Sequence, residues 1–168
     1  LEDKKLLCIG AGGSATAITY EILKNGLGED GELIVLNRTP ERAYELGKRW
    51  DNLFKQRGLI RRKVITGGLS DIEKYALDSD IILSTVTSGY PINEKLAERI
   101  PGKTTFIDIR YGNKAEFAKL GIKTGHKAID GWGMVVFGVE QAARLAFRKS
   151  LGLDFDSKLS DMLLKKVI

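Results

Sequence analysis

The glycines that follow the first apolar run have the spacing of a dinucleotide-binding turn. Gly10, Gly12 and Ala15 form a G-x-G-x-x-A pattern between the apolar segment 6–9 and a predicted helix over 14–24. In such a turn the first glycine permits a tight bend and the second lets the backbone approach a pyrophosphate. The small third residue lets the helix lie close to the strand. The free N–H groups at the start of the helix attract the anion. We therefore predict a dinucleotide site here.

A second group of polar residues follows the next predicted strand, 32–36. It contains Asn37, Arg38, Thr39 and Arg42. A carboxylate at this place would hydrogen-bond the free ribose hydroxyl of NAD, whereas a neutral residue with nearby arginines accommodates the 2′-phosphate of NADP. If Pro40 begins a helix with Thr39 as its cap, Arg42 lies in the first turn and close to Arg38. The pattern favours NADP; the alternative is an ordinary capped helix with two exposed arginines.

Short apolar runs alternate with helical patterns along the whole chain. This alternation predicts an α/β fold of the Rossmann type, with a mostly parallel, doubly wound sheet and helices on both faces. We expect one domain over 1–168. The predicted strands are 6–9, 32–36, 64–66, 80–84, 105–109 and 123–128, and the predicted helices are 14–24, 40–50, 71–77, 91–100, 115–120, 133–151 and 156–167.

Composition narrows the class of protein. Hydrophobic residues make up 43% of the chain and charged residues 29%, which is typical of a globular protein. No apolar run has the length of a membrane span and no signal peptide is recognisable, so we expect a cytoplasmic protein without membrane contact. The net charge of +5 is mild, and we interpret its densest basic run, 61–63, as a solvated loop, so we expect no nucleic-acid partner.

The remaining reactive residue types do not form a recognisable catalytic group. The single Cys8 lies in the first predicted strand and is interpreted as a buried thiol. The single His126 has no ligand-spaced partners, so we expect a solvent-facing loop histidine and no metal site. Asp108 and Asp130 each lie next to the end of a predicted strand, and we interpret both as structural or positioning groups. The sequence therefore offers cofactor-binding residues but no catalytic residue of its own.

Five segments, taken in order, resemble the C-terminal NADP-binding domain of shikimate dehydrogenases. One is the glycine turn and a second is NRTPERA, which is similar to the family's phosphate clamp. DIILSTVTSGY and IDIRYGN are similar to its segments at the fourth and fifth strands, and DGWGMVVFGVEQAARLAF to its DGxGM helix entry. These five segments are residues 10–17, 37–43, 80–90, 107–113 and 130–147.

The resemblance implies reversible, NADP-linked reduction of the ring ketone of 3-dehydroshikimate. It assigns Gly12, Gly13, Ser14 and Ala15 to the pyrophosphate and residues 37–39 with Arg42 to the 2′-phosphate. The other residues that it assigns are Thr85, Val86, Thr87 and Ile109 along the cofactor cleft, Gly131 and Met134 near the nicotinamide, and Tyr111 on the substrate side. The family's catalytic Lys and Asp belong to an N-terminal substrate domain, and no residue of this chain matches either.

Three expectations about partners accompany the resemblance. The substrate is a small shikimate-like molecule that binds through an N-terminal substrate domain. The helices predicted at 133–151 and 156–167 are candidates to pack against that domain. A homodimer is a possible assembly. Activity of this chain alone is not expected. Two alternatives stay open. One is a non-catalytic Rossmann module for nucleotide sensing or assembly. The other is the NADP domain of a different reductase, such as a glutamyl-tRNA reductase.

Overall fold

A single parallel sheet organises the protein in the computed structural model, which describes residues 1–58 and 63–138. Its six strands run in the order β3-β2-β1-β4-β5-β6, the order of a doubly wound dinucleotide-binding sheet. The predicted fold class is therefore confirmed. The strands are β1 Lys5–Ile9, β2 Glu32–Asn37, β3 Lys63–Gly68, β4 Ile81–Ser84, β5 Thr105–Asp108 and β6 Lys127–Ile129.

The central strands are buried on both faces because helices cover each face. Leu7 of β1 pairs in register with Ile34 of β2 and with Ile82 of β4, and each of these side chains is at most 2% exposed. Near-continuous apolar runs of this kind are what a parallel sheet covered on both sides requires. The strand order turns back at β1, so the carboxyl ends of β1, β2 and β4 meet at one edge of the sheet.

Helices α1 (Gly13–Glu21) and α2 (Pro40–Gln56) cover one face. A π-helical turn, Ile22–Gly26, continues α1. Buried side chains of α2 recur at helical spacing, and Phe54 extends this apolar stripe beyond the predicted end of the helix at Trp50. The indole of Trp50 donates a hydrogen bond to Thr19 Oγ1 at 3.2 Å, so the one polar atom of this large side chain is satisfied inside the core.

The opposite face carries α3 (Ile72–Ala76), α4 (Glu94–Ala97) and α5 (Glu116–Lys123), with 3₁₀ turns at Leu69–Asp71 and Gly112–Lys114. The helix predicted over 91–100 was wrong in extent. Asn93 caps α4 by accepting a hydrogen bond from the Leu96 N–H at 3.0 Å, so the helix begins only after residue 93. The helix predicted over 115–120 is longer than expected, and β6 begins correspondingly later than predicted.

The expectation for His126 was wrong. Its side chain is buried, and its ring centre lies 4.7 Å from that of Phe106. Nε2 lies 3.2 Å from the Ile100 carbonyl oxygen and Nδ1 lies 3.0 Å from Thr124 Oγ1. The turn between α5 and β6 places the imidazole ring against the sheet, next to Phe106, and both ring nitrogens lie within hydrogen-bond distance of a partner there. His126 is therefore part of the core of this face.

The last described segment, residues 132–138, is helical. It contains the start of the helix predicted over 133–151; the rest of that helix and the helix predicted over 156–167 lie outside the described residues, as do Arg61 and Arg62. Within 1–58 and 63–138, no helix combines the length and the hydropathy needed to cross a membrane.

Candidate dinucleotide site

The glycine turn connects three strand ends at the edge where the strand order turns back. Gly10 has a φ of +113° and donates its N–H to the Leu36 carbonyl oxygen at 2.8 Å. A Cβ on Gly10 would lie 2.3 Å from Thr85 Oγ1, which in turn donates to the Ile9 carbonyl oxygen at 2.9 Å. Both the backbone conformation and the close neighbour require glycine here. The turn is thereby held against β2 and β4.

The start of α1 is open. Gly12 is the N-cap, no side chain caps the helix, and its first turn contains no acidic residue. Gly12, Gly13 and Ser14 are exposed, whereas Ala15 is fully buried in the core between α1 and the sheet. A helix N-terminus of this kind presents unpaired N–H groups and the positive end of the helix dipole to an anion.

Gly12 and Gly13 differ from Gly10 in what surrounds them. A Cβ on either would have no heavy atom of the described residues within 4 Å, and neither has a positive φ. The protein's own packing therefore does not require glycine at these two positions. Open space above exposed backbone fits a ligand that approaches the main chain closely.

The turn after β2 is ordered, and its charges remain available. Asn37 Nδ2 donates to the Thr39 carbonyl oxygen at 2.9 Å. Thr39 is the N-cap of α2 with Pro40 in the first turn, as predicted, although its side chain makes no capping hydrogen bond. Arg38 and Arg42 are exposed. Among the described residues, neither guanidinium forms an ion pair with a carboxylate.

A cleft of about 280 Å³ joins the glycine turn, the end of β2 and the loop after β4. Seven of the residues predicted for the cofactor line it, so the structure brings these together: Gly10, Gly12, Asn37, Arg38, Thr85, Val86 and Thr87. Leu69, Ser88, Gly89 and Pro91 also line it and were not predicted as site residues. The positive φ of Gly89, +68°, marks a turn that its neighbours in sequence could have indicated. For Leu69, only the folded structure shows that it lines the cleft; its neighbours in sequence do not indicate this.

The other predicted site residues lie outside this cleft. Gly131 packs directly on the end of β5, where a Cβ would lie 2.0 Å from the carbonyl oxygen of Ile109. Tyr111 contacts Trp132, with 4.8 Å between the ring centres. Met134 borders an apolar groove along α1. Gly13, Ser14, Ala15, Thr39 and Arg42 do not line the cleft either.

Two carboxylates near the site bind backbone N–H groups. Asp108 is fully buried and accepts from the N–H of Arg110 at 2.9 Å and of Phe117 at 3.0 Å. Burial raises the pKa of the Asp108 carboxyl above its ordinary value, and these hydrogen bonds oppose that shift. Asp130 accepts from the N–H of Gly112 at 3.0 Å and of Trp132 at 3.1 Å. Asp108 therefore fixes the chain just after β5, and Asp130 also joins the chain after β6 to Gly112, 18 residues earlier.

Arg110 is the residue near the site whose contacts sequence reasoning missed. Its Nη1 donates to the Thr87 carbonyl oxygen at 2.6 Å, and its guanidinium lies 5.0 Å from the ring centre of Tyr90. Both partners belong to the loop after β4, about 20 residues away in sequence. For metals, residues 1–58 and 63–138 contain no group of three potential His, Cys, Asp or Glu ligands.

Comparison with protein families gives one match over most of the chain. The family model described as Shikimate / quinate 5-dehydrogenase matches residues 1–111. A shikimate dehydrogenase (NADP(+)) of Methanococcus maripaludis is 33% identical over 144 residues, which is 82% of this chain and 47% of that protein. One of Methanothrix thermoacetophila is 31% identical over 152 residues, 89% of this chain and 49% of that protein. The chain thus spans about half the length of the curated relatives it matches.

Solved structures agree on the fold. Shikimate 5-dehydrogenase from Listeria monocytogenes, in complex with shikimate and NAD, superposes with a TM-score of 0.72 at 17% identity, covering 96% of this chain and 56% of that one. Shikimate dehydrogenase from Thermotoga maritima gives 0.64 at 20% identity, with the same coverage of both chains. At these identities the likeness concerns the fold alone.

Proposed function

Because this chain belongs to the shikimate / quinate 5-dehydrogenase family, we propose that it is the NADP-binding domain of an oxidoreductase acting on a shikimate-like substrate. The proposal rests mainly on the cleft at the carboxyl edge of the sheet, which is lined by Gly12 at the open start of α1 and by Arg38, whose guanidinium forms no ion pair among the described residues. NADPH, when bound, supplies the hydride that reduces the ring ketone of 3-dehydroshikimate to shikimate.

The turn after β2 supports NADP over NAD. Asn37 takes the place where an acidic residue would bind the ribose hydroxyl of NAD. Arg38 and Arg42 lie beside the N-terminus of α2, and neither guanidinium pairs with a carboxylate of the described residues, so both can form charge-assisted hydrogen bonds with a dianionic phosphate. Arginine is suited to this role because its planar donors match phosphate oxygens in pairs.

The glycine turn supports binding of the pyrophosphate. The space above Gly12 and Gly13 would be filled by any other side chain, and the N–H groups of the first turn of α1 face it. Thr85 Oγ1 donates a hydrogen bond to the Ile9 carbonyl oxygen, and this bond sets the distance between the β4 side of the cleft and the glycine turn. These residues would bind and orient the cofactor.

Proton transfer to the substrate requires groups that the described part of the cleft lacks. No lysine and no carboxylate line it. We therefore propose that the catalytic acid–base groups belong to the half of the relatives' length that this chain does not match. On this proposal the chain binds NADPH but does not by itself reduce 3-dehydroshikimate, and measurable NADPH oxidation by the chain alone would overturn that point.

Titration with NADPH and NADH tests the cofactor directly. Arg38→Ala should weaken NADPH binding about 10- to 100-fold, because hydrogen bonds to a charged phosphate are lost. NADH carries no 2′-phosphate, so its affinity should not change. Equal affinities of the unmodified chain for the two cofactors would contradict the proposed phosphate site.

Arg49→Ala is the matched control for this titration. Arg49 is an exposed arginine of α2, the helix that follows Arg38, and lies well beyond the first turn of that helix. Its removal lowers the net charge equally without touching the proposed phosphate site. An equal loss of NADPH affinity in both variants would mean that Arg38 acts only through overall charge.

A further inference from the structure

Buried polar atoms without hydrogen-bond partners are concentrated at one place in the described structure. They are Ser84 Oγ, the Tyr90 hydroxyl, and Nε and Nη2 of Arg110. All belong to the carboxyl ends of β4 and β5 or to the loop after β4. Polar groups this deep in a protein normally have partners, and clusters of exceptions accompany functional sites. Arg110 contributes two of these atoms.

The guanidinium of Arg110 connects β5 to the cleft. Only 18% of its side chain is exposed. Nη1 donates to the Thr87 carbonyl oxygen at 2.6 Å, Nε lies 3.7 Å from Asp108 Oδ1, and Nη2 lies 3.5 Å from a carboxylate oxygen of Glu116. The guanidinium carbon lies over the ring of Tyr90, 5.0 Å from the ring centre. The two ion-pair distances are too long for hydrogen bonds, so the bond to Thr87 is the short directional contact of this side chain.

Thr87 is the point at which this contact reaches the cleft. Thr87 is exposed, and it lines the cleft together with its neighbours Val86 and Ser88. This loop follows β4, on the opposite side of the glycine turn from β2 and from Arg38 and Arg42, which come after it. In a doubly wound sheet the two nucleotide halves of a dinucleotide occupy opposite sides of that turn. The loop therefore faces the nicotinamide half.

We propose that Arg110 is a positioning residue that holds the loop 85–91 in place for the nicotinamide half of the cofactor. The proposal rests on the proposed function, because it presupposes that the cleft binds NADPH. Arginine is suited to the task because one planar group can lie on Tyr90 and still donate to the Thr87 carbonyl oxygen. Within residues 1–58 and 63–138, none of the side-chain contacts of Arg110 reaches the turn after β2. The adenosine half should therefore be independent of Arg110.

Two ligands separate this role from a general structural one. Adenosine 2′,5′-bisphosphate occupies only the adenosine half, whereas NADPH occupies both. Arg110→Met keeps most of the side-chain volume and removes the donors. It should weaken NADPH binding about tenfold, the loss of one charge-assisted hydrogen bond, and leave the bisphosphate affinity unchanged. Equal weakening of the two ligands, or no weakening of either, would overturn the proposal.

Further variants keep the test decisive. Arg110→Lys retains a charge and a donor but loses the guanidinium that lies over Tyr90; it should show the same selective loss at about threefold, even where Arg110→Met does not fold. Arg99→Met removes an exposed arginine paired with Glu73 and should change neither constant. If the unmodified chain binds neither ligand, the proposed function itself fails. If it binds both and no Arg110 variant separates them, only the role of Arg110 fails.

Discussion

The two halves of the cleft use arginine in opposite ways. On the β2 side, Arg38 and Arg42 are exposed and form no ion pair within the described residues. On the β5 side, Arg110 is mostly buried and contacts Thr87, Tyr90 and nearby carboxylates. Charge on the first side remains available to a ligand, whereas charge on the second side holds the protein's own loop. The first half should therefore respond to mutation in affinity and the second half in both affinity and stability.

The glycines show the same contrast between positions open to a ligand and positions in contact with the protein. Gly12 and Gly13 have open space above them, so the fold itself does not need them. Gly10 and Gly131 are each closed in by atoms of the protein, Gly131 by backbone. The open space at Gly12 and Gly13 leaves room for a ligand, whereas the space at Gly10 and Gly131 is filled by other parts of the chain. Stability measurements can separate the two kinds.

The largest effect is expected for Gly131→Ala. Its Cβ would lie 2.0 Å from the Ile109 carbonyl oxygen and 2.6 Å from the Ile109 carbonyl carbon, and neither backbone atom can move without disturbing β5. Overpacking of this kind should lower the free energy of unfolding by about 3 kcal/mol. Urea denaturation followed by circular dichroism measures it.

Gly133→Ala is the matched control for this prediction. It lies two residues away in the helical segment 132–138, and a Cβ there would have no heavy atom within 4 Å in the part of the chain that the structure describes. Alanine favours helix over glycine by about 1 kcal/mol, so this variant should be slightly more stable than the unmodified chain. Similar denaturation midpoints for the two variants would mean that the close approach at Gly131 relaxes without cost.

The sequence was sufficient where the determining signal is local. The apolar runs of β1, β2 and β4 and the helical patterns between them predicted the parallel sheet, because a strand buried on both faces is readable from its own residues. The same holds for Gly10 and for Asn37 to Arg42, whose spacing along the chain carries their proposed chemistry. Element ends were less predictable, as at α4, where a single capping side chain set the boundary.

Contacts between distant segments were not predictable. Nothing in the residues next to Arg110 indicates that its side chain reaches Thr87, 23 residues earlier. The closeness of Gly131 to Ile109 and the burial of His126 likewise depend on how β5, α5 and β6 come together. In each case the partner is chosen by packing across the sheet, and single-sequence patterns contain no information about it.

A smaller effect, with opposite signs for stability and binding, is expected for Ser14→Asp. Ser14 lies in the first turn of α1, whose start lacks an acidic residue. A carboxylate there should stabilise the fold by about 0.3–1 kcal/mol through the helix dipole. The same charge should repel the pyrophosphate and weaken NADPH binding about tenfold. Thermal unfolding and NADPH titration measure the two effects.

Ser14→Asn separates charge from size in that experiment. The amide has nearly the shape of the carboxylate but no charge, so its effect on NADPH affinity should be much smaller than that of Ser14→Asp. A Ser14→Asp variant that gains stability yet binds NADPH as tightly as the unmodified chain would show that the start of α1 is not the anion site. The open space above Gly12 and Gly13 would then need another explanation.

The smallest effect is expected at the opposite, amino edge of the sheet, where charges are paired within the protein. Asp80 Oδ2 accepts from the Lys5 backbone N–H at 3.1 Å, and Oδ1 lies 3.6 Å from Lys4 Nζ and 3.9 Å from Lys103 Nζ. The backbone hydrogen bond, with help from the two lysines, holds the pKa of Asp80 below its ordinary value of 3.8.

Because this pKa is lowered on folding, the contribution of Asp80 is present above its ordinary pKa and is lost as the pH falls through the folded value. Asp80→Asn should therefore cost about 1 kcal/mol or less at neutral pH and make acid unfolding below about pH 4 less steep. NADPH affinity at neutral pH should not change, because Asp80 lies at the far edge from the cleft. Acid titrations of both proteins by circular dichroism measure the slope. Identical slopes would show that this pairing, unlike the open charges of the cleft, has no measurable effect.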